Sequence, residues 1–185
     1  MTDKAYHHGN LKKELLEKGL KYINENGVES LSMRKLAAVC GVSSGAPYAH
    51  FKTKEEFLAQ ARDYVAEQFT ESLMNCIRAN KDQTRLLVEL GVSYVVFFKN
   101  NPYYHHFLFL QGGDWLEQYP PYKMFSETAF DSLTALGYKA DDIKYKTLAM
   151  WSMVQGLADI CTSHEVLDSD RLEDEIARVL CAVTI

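Results

Sequence analysis

Residues 31–51 are LSMRKLAAVCGVSSGAPYAHF. Ser32 is a residue type that caps helices, and the apolar positions that follow it have helical spacing. Gly41 can end this short helix, because glycine adopts the left-handed conformation that a tight turn needs. A second short helix is expected directly after the turn. The pattern therefore predicts a helix-turn-helix.

The second short helix is expected to have a tip of small side chains. We expect it to begin at Ser43 or Ser44, with Pro47 in the first turn, where a missing N–H costs least. Small residues let a helix end come close to base edges in the major groove of DNA. The residues expected to be exposed at this tip are Ser43, Ser44, Gly45, Ala46, Tyr48 and Ala49.

The remainder of the chain has the apolar period of helices, and strand-like alternation is scarce. A first helix is expected to end at Asn26-Gly27, and the capping box Thr53–Glu56 predicts a helix from about 54 to about 78. Asp142 is expected to cap a helix that reaches His164. Further helices are predicted over residues 83–99, 103–110 and 120–137, and from Asp168 or Ser169 onward. The predicted fold class is all-α.

Composition limits the class of protein. The chain has 185 residues, of which 47% are hydrophobic, so at roughly 150 residues per domain it forms one domain or two small ones. Its four cysteines form no C-x-x-C pair, and adjacent His105 and His106 would point apart on a helix, so no metal or other cofactor is predicted. Neither a signal peptide nor a membrane span of about 20 apolar residues is recognisable. We expect a cytoplasmic protein without a membrane partner.

Charge and aromatic residues are unevenly distributed. Residues 1–62 hold ten Lys and Arg against seven Asp and Glu, whereas residues 63–185 hold ten against eighteen. A basic first third on an acidic body favours contact with a polyanion. Fifteen of the 22 aromatic residues lie between Tyr94 and Trp151. This concentration favours a ligand pocket in the central part of the chain.

The segment Leu31–Ala61, LSMRKLAAVCGVSSGAPYAHFKTKEEFLAQA, resembles the tetracycline-repressor (TetR) family of bacterial transcription regulators. The preceding HHGNLKKELLEKGL is similar to the first helix of that family. The resemblance implies an all-α homodimer. It also implies a three-helix DNA-binding domain over residues 1–53 and a helical effector-binding and dimerisation domain over residues 54–185.

The resemblance also implies DNA contacts at matching positions. Phe51 is expected in the core, whereas the hydroxyl of Tyr48 is expected to reach a phosphate. Pro47 stands where many members have leucine, and Ala46 stands where many have threonine, which leaves few side-chain hydrogen bonds to bases. Whether His7 and His8 form a further DNA-contacting arm stays open. The implied DNA-binding residues are Ser32, Arg34, Ser43, Ser44, Gly45, Ala46, Tyr48, His50 and Lys54.

A second resemblance concerns Ala149–Asp159, which is similar to the Trp-x3-His-Gly stretch of one C-terminal-domain subgroup, with Gln155 in place of the histidine. Trp151 and Gln155 are four residues apart and share a helix face, so both can point into a pocket or into the core. Few charges lie nearby, so an apolar or aromatic effector is expected. The candidate lining residues are Tyr94, Phe98, Phe107, Leu110, Trp115, Phe125, Trp151 and Gln155.

Three hypotheses for function follow. The first is a ligand-responsive regulator, a repressor that a small effector releases from a palindromic operator. Its dimer is expected to use helices 142–164 and 169–184 in a four-helix bundle. The second is a DNA-binding dimer without a small-molecule effector, constitutive or controlled by a protein partner. The third, a helical enzyme, has no nucleophile–base constellation behind it. Gly41–Gly45 match G-x-S-x-G, but a nucleophile elbow needs a strand before it and a long helix after it. We therefore predict no enzyme.

Overall fold

The computed structural model describes residues 11–109 and 119–184, and over these residues the chain is all-α. None of the helices in these two ranges is long and apolar enough to cross a membrane. Among the described residues, three 3₁₀ helices accompany the α-helices, at Val28–Ser30, Ala46–Ala49 and Ser169–Arg171. The α-helices are α1 (Leu11–Asn26), α2 (Met33–Cys40), α3 (Lys54–Ala79), α4 (Gln83–Asn100), α5 (Pro102–Phe109), α6 (Pro120–Ala135), α7 (Ala140–Ser163) and α8 (Leu172–Thr184).

The chain divides into two compact units. Among the described residues, the N-terminal unit holds 11–65 and 106–109, and the C-terminal unit holds 66–105 and 119–184. A helix-turn-helix unit and a separate helical unit confirm the predicted architecture. The functional division expected at residue 53 stays a prediction.

The N-terminal unit is built on the apolar stripe of α1, which is buried as its helical spacing predicts. Phe51 is also buried and packs edge-on against Phe57, with 5.2 Å between the ring centroids. A β-carbon at Gly19 of α1 would overlap the ring of Phe57 on α3. The two helices therefore approach closely at a position where only glycine fits without a shift. The buried residues of α1 are Leu11, Leu15, Leu16, Gly19, Leu20 and Ile23.

Local capping sets the start of α3. The N–H of Glu56 donates to Thr53 Oγ1 at 3.2 Å, as the capping box predicts. The carboxylate of Glu56 turns back and accepts from the N–H of Lys52 at 2.7 Å, one residue before the cap. These bonds hold the start of α3 directly after the helix-turn-helix.

The C-terminal unit is organised around α4, which packs against α6, α7 and α8. A β-carbon at Gly91 would lie 2.7 Å from Leu180 Cδ1 and 3.3 Å from Val154 Cγ1, so this glycine allows close packing of α8 and α7. The half-buried Lys99 ammonium donates to the carbonyl of Cys161 at 2.7 Å, where a cation suits the C-terminal end of α7.

The two expected aspartate caps differ in outcome. The expectation that Asp142 caps α7 is wrong, because the helix begins at Ala140 and its cap position is Lys139, whose side chain makes no capping bond. Asp142 lies instead in the first turn, where a carboxylate still suits the helix dipole. Asp168 does act as a cap, but of the 3₁₀ helix Ser169–Arg171 that comes directly before α8: its Oδ1 accepts from the N–H of Asp170 at 3.0 Å.

Candidate DNA interface and effector cavity

The turn between α2 and the following 3₁₀ helix is formed by Gly41. Its φ of 70° and ψ of 29° are left-handed, as its place after α2 predicts. The N–H of Val42 donates to the carbonyl of Ala37 at 3.0 Å, which satisfies one of the last carbonyls of the helix. At the other end of α2, Ser32 Oγ accepts from the N–H of Lys35 at 3.1 Å. The hydroxyl hydrogen of Ser32 is still available to an acceptor outside the helix.

The second short helix begins later than its serines predicted. It is the single 3₁₀ turn Ala46–Ala49, with Gly45 at the cap position and no side-chain capping bond. The start expected at Ser43 or Ser44 is wrong, because these residues belong to a turn in which the Ser43 carbonyl accepts from the N–H of Ala46 at 2.9 Å. Pro47 lies in the first turn, as expected, and it is buried.

The tip of small residues is exposed and is followed by two aromatic residues, Tyr48 and Phe51. Ser43, Ser44 and Gly45 are exposed, whereas Ala46 and His50 are half-buried. Tyr48 is 53% exposed and Phe51 only 1%, which confirms Phe51 as a core residue. The phenol of Tyr48 is thus accessible to an external group.

Basic side chains accompany this tip. Arg34 is exposed one residue into α2, and Lys54 is half-buried at the start of α3. Neither is in an ion pair with any residue in the part of the chain that the structure describes. By contrast, Lys18 on α1 is paired with Glu14 at 2.6 Å. Cations without carboxylate partners are the groups that phosphate contacts need.

A separate feature of the C-terminal unit is an apolar cavity of about 710 Å³ between α4, α6, α7 and α8. Its volume is typical of small-molecule sites, which run from about 300 to 1,000 Å³. Phe125 is the only predicted effector residue among its lining. The lining residues are Leu87, Val88, Gly91, Phe125, Leu133, Leu136, Tyr138, Lys146, Ala149, Met150, Met153, Val154, Val179, Leu180 and Cys181.

Sequence reasoning missed most of this cavity because it followed the aromatic residues. The useful signal was the methionine pair Met150 and Met153, three residues apart on one helix face, since methionine suits adaptable apolar surfaces. The participation of α8 had no local signal, because it depends on how α8 packs on α4.

Three other predicted effector residues, Tyr94, Phe98 and Trp151, lie in an aromatic cluster. Trp151 is buried and packs edge-on against Tyr94 and Phe125, each with 5.2 Å between the ring centroids. Phe98 is also buried, with 5.1 Å between its ring centroid and that of Tyr94. Phe125 therefore belongs to both the cluster and the cavity lining, and Gln155 is half-buried on α7.

The structure gives a different place, or none, for three further predicted effector residues. Phe107 is buried and belongs to the N-terminal unit. Leu110 and Trp115 lie outside the described residues, as do His7 and His8.

One polar atom inside the aromatic cluster has no partner. The hydroxyl of Tyr94 is buried and makes no hydrogen bond to any described residue. Burial raises the pKa of Tyr94 well above its ordinary value, and nearby Tyr119 raises it further. Burial also raises the pKa of Tyr119. Both phenols therefore stay neutral at physiological pH.

An exposed apolar stripe follows one face of α7. Tyr145 is 70% exposed, Leu148 49% and Ile160 45%, and exposed Ser152 and Gly156 lie between them on the same face. A β-carbon at Gly156 would meet nothing within 4 Å among the described residues. Large apolar side chains flanking small residues are typical of a surface that another helix covers closely.

Residues 15–61 match the family model described as bacterial regulatory proteins, tetR family. This match supports a place for the chain in the tetR family. It covers the helix-turn-helix, α1 from its second turn, and the start of α3. No curated protein is significantly similar in sequence to the chain.

Solved structures extend the similarity beyond the helix-turn-helix. A TetR-like transcriptional regulator from Rhodococcus sp. RHA1 superposes with a TM-score of 0.74 at 15% identity, covering 93% of this chain and 94% of that one. FadR from Bacillus subtilis, in complex with stearoyl-CoA, gives 0.74 at 16%, covering 94% and 98%. AibR, in complex with isovaleryl coenzyme A and operator DNA, gives 0.72 at 15%, covering 91% and 96%. At these identities the similarity establishes a shared fold.

Proposed function

We propose that this protein is a DNA-binding transcriptional regulator and that its N-terminal unit reads an operator. The observation that carries the proposal is the exposed tip at Ser43–Gly45, held by the left-handed Gly41 and anchored by buried Phe51. Ser44 and Ala46 are the proposed base-facing residues, with Ala46 touching thymine methyl groups. Because these side chains are small, the shape of the DNA contributes to selectivity.

The proposed backbone contacts flank this tip. Ser32, Arg34, Tyr48, His50 and Lys54 are proposed to contact phosphates, with Arg34 also reaching into the groove. Such contacts position the protein on the duplex.

The test is selection of bound fragments from genomic DNA, followed by titration of the selected site against salt. A phosphate-clamped dimer should recover an inverted repeat, and its affinity should fall steeply with salt. Arg34→Ala should reduce the slope of log affinity against log salt by about 0.9 for each phosphate that the arginine neutralises. The matched control is Arg171→Ala, which removes an exposed arginine from the C-terminal unit. Equal slopes for both variants would remove Arg34 from the interface.

We further propose that the protein acts as a homodimer that covers the α7 stripe. A two-fold pairing would place Tyr145, Leu148 and Ile160 against their counterparts, with α8 completing a four-helix bundle. The dimer would space the two tips for half-sites about 34–36 Å apart. Ala158 is fully buried within its own chain, so a charge there would damage the fold instead of the interface.

Leu148→Glu is the variant that tests this dimer. It should produce folded monomers that bind the operator weakly. The control is Lys144→Glu, which changes the charge of an exposed side chain on the same helix. Sedimentation velocity reports the mass, and circular dichroism reports the fold. A folded Leu148→Glu monomer with wild-type operator affinity would contradict the proposal.

We propose that a small apolar effector binds in the C-terminal unit and releases the DNA, which makes the protein a repressor. The 710 Å³ apolar cavity supports this proposal. FadR and AibR, which share the fold, have structures with acyl-CoA ligands. By linkage, an effector that lowers operator affinity must itself bind less tightly to the DNA-bound protein. Equal effector affinity with and without operator would exclude release by this route.

The second candidate function is a DNA-binding dimer without an effector. It is favoured by the dense ring contacts of Tyr94, Phe98 and Trp151, which are equally consistent with core packing. The subgroup resemblance around Trp151 and Gln155 belongs to the effector proposal. Met153→Ala separates the two functions, because it removes a half-buried side chain from the cavity lining: it should alter release by an effector and leave a constitutive binder at its wild-type operator affinity.

A further inference from the structure

The cavity of the C-terminal unit is lined by one charged residue among those that the structure describes. Fourteen of the fifteen described lining residues carry no charge, and the exception is Lys146 on α7. Four lining residues are exposed to solvent: Leu136 and Tyr138, at 43% and 40%, and also Ala149 and Cys181. The cavity thus combines an apolar interior with a single cation in its lining.

Lys146 has no carboxylate partner. Its ammonium lies 4.6 Å from the centroid of the Tyr138 ring, and it is in no ion pair with the described residues. The attraction of an ammonium to an aromatic face involves no negatively charged partner. The Lys146 ammonium is also restrained beside Tyr138, which is one of the exposed lining residues. An anionic group can therefore pair with it without displacing another carboxylate.

We propose that this cavity binds a single-tailed amphiphile with one anionic head group, a fatty carboxylate in the simplest case. The alkyl chain lies among Phe125, Met150 and Met153, and the carboxylate pairs with Lys146. This inference rests on the proposed effector function and specifies its ligand class. One lining cation suits a free carboxylate better than a coenzyme A thioester, whose several phosphates would need further cations.

The experiment uses delipidated full-length protein and dodecanoate below its micelle concentration. Trp151 reports binding by its fluorescence through its contact with Phe125, and calorimetry gives the affinity independently. Octanoate, decanoate and dodecanoate should bind with affinity rising by about tenfold for every two methylenes, as burial of a hydrocarbon chain predicts. Affinity independent of chain length would overturn the assignment of the alkyl chain to the cavity.

The matched variants are Lys146→Met and Lys144→Met. Both remove a lysine from α7, but Lys144 is exposed and outside the lining. Lys146→Met should weaken dodecanoate by about tenfold or more and leave dodecanol unchanged, since methionine cannot donate a charge-assisted hydrogen bond to the carboxylate. Lys144→Met should leave both affinities unchanged. Equal dodecanoate affinity in the two variants would overturn the proposal. So would dodecanoyl-CoA that binds more tightly than dodecanoate and with the same affinity before and after Lys146→Met.

Alkylation of Cys181 locates the ligand. This exposed thiol lines the cavity, whereas burial raises the pKa of the other three, Cys40, Cys76 and Cys161, and slows their reaction. Dodecanoate should slow alkylation of Cys181, as followed by mass spectrometry. Saturation with dodecanoate at an unchanged alkylation rate would place the ligand elsewhere and overturn the inference.

Operator binding in the same samples separates the two proposals. Operator binding without any dodecanoate binding would sink the ligand class and leave the DNA-binding function standing. Dodecanoate binding without operator binding would do the reverse. Sedimentation of Ala149→Arg covers the other possible occupant: if this variant separates dimers and dodecanoate does not bind, a second copy of the chain covers the cavity, and the inference is overturned.

Discussion

Tyr94→Phe is expected to stabilise the protein. The hydroxyl of Tyr94 is buried without a hydrogen-bond partner among the described residues, and such a group costs about 1–3 kcal/mol relative to a solvated one. The phenylalanine ring keeps the contacts with Phe69, Phe98 and Trp151, whose centroids lie 4.9, 5.1 and 5.2 Å away. Removal of one oxygen leaves only a small void. We therefore expect a net gain of about 1 kcal/mol.

The assays are urea unfolding, which gives the free energy, and thermal unfolding, which gives Tm, both at fixed protein concentration because a dimer's stability depends on concentration. For a chain of this size a gain of about 1 kcal/mol raises Tm by about 2–4 °C. The control is Tyr48→Phe. The Tyr48 side chain is 53% exposed, so its hydroxyl is solvated and its removal should leave stability unchanged. If Tyr94→Phe lowers the free energy of unfolding by about 1 kcal/mol or more, the hydroxyl is hydrogen-bonded in solution, and the reasoning fails.

Three further predictions concern packing, pH and a helix end. Gly91→Ala should lower the free energy of unfolding by about 1–3 kcal/mol, because its β-carbon would crowd α7 and α8. Gly156→Ala should instead raise it by up to about 1 kcal/mol in the monomer. Equal effects of the two variants in urea unfolding would contradict the packing at Gly91. Tyr94 and Tyr119 should not affect stability below about pH 10, but above it each should lower the free energy of unfolding by about 1.4 kcal/mol per pH unit. Their raised pKa values keep both phenols protonated in the folded state while those of the unfolded chain ionise. Thermal melts from about pH 8 to 11 would show a flat profile if the phenols were solvated. Lys99→Met should cost about 1 kcal/mol, because it removes a half-buried charged donor to the end of α7, and an unchanged midpoint would show that the bond is absent in solution.

Local signals in the sequence predicted the helices and the helix-turn-helix well. Ser32 caps α2, Thr53 and Glu56 cap α3, and Gly41 ends α2 in the left-handed conformation. Each of these signals acts within about four residues, so it can be read from a single stretch of chain. Asp142 and Ser43 misled for the same reason: capping residues are frequent, and neighbouring turns decide which of them is used.

The sequence by itself determined an all-α chain with a helix-turn-helix, because helical periodicity, caps and turn glycines are local. Only the tertiary structure decided which apolar residues are core and which are surface. Ala158 is fully buried while Leu148, on the same helix, is half exposed, because burial depends on where α4 passes. It also decided that the cavity lies between α4, α6, α7 and α8, with Lys146 in its lining. Contacts between residues far apart in the chain leave no periodic trace in a sequence, so such a cavity appears only once the helices have packed.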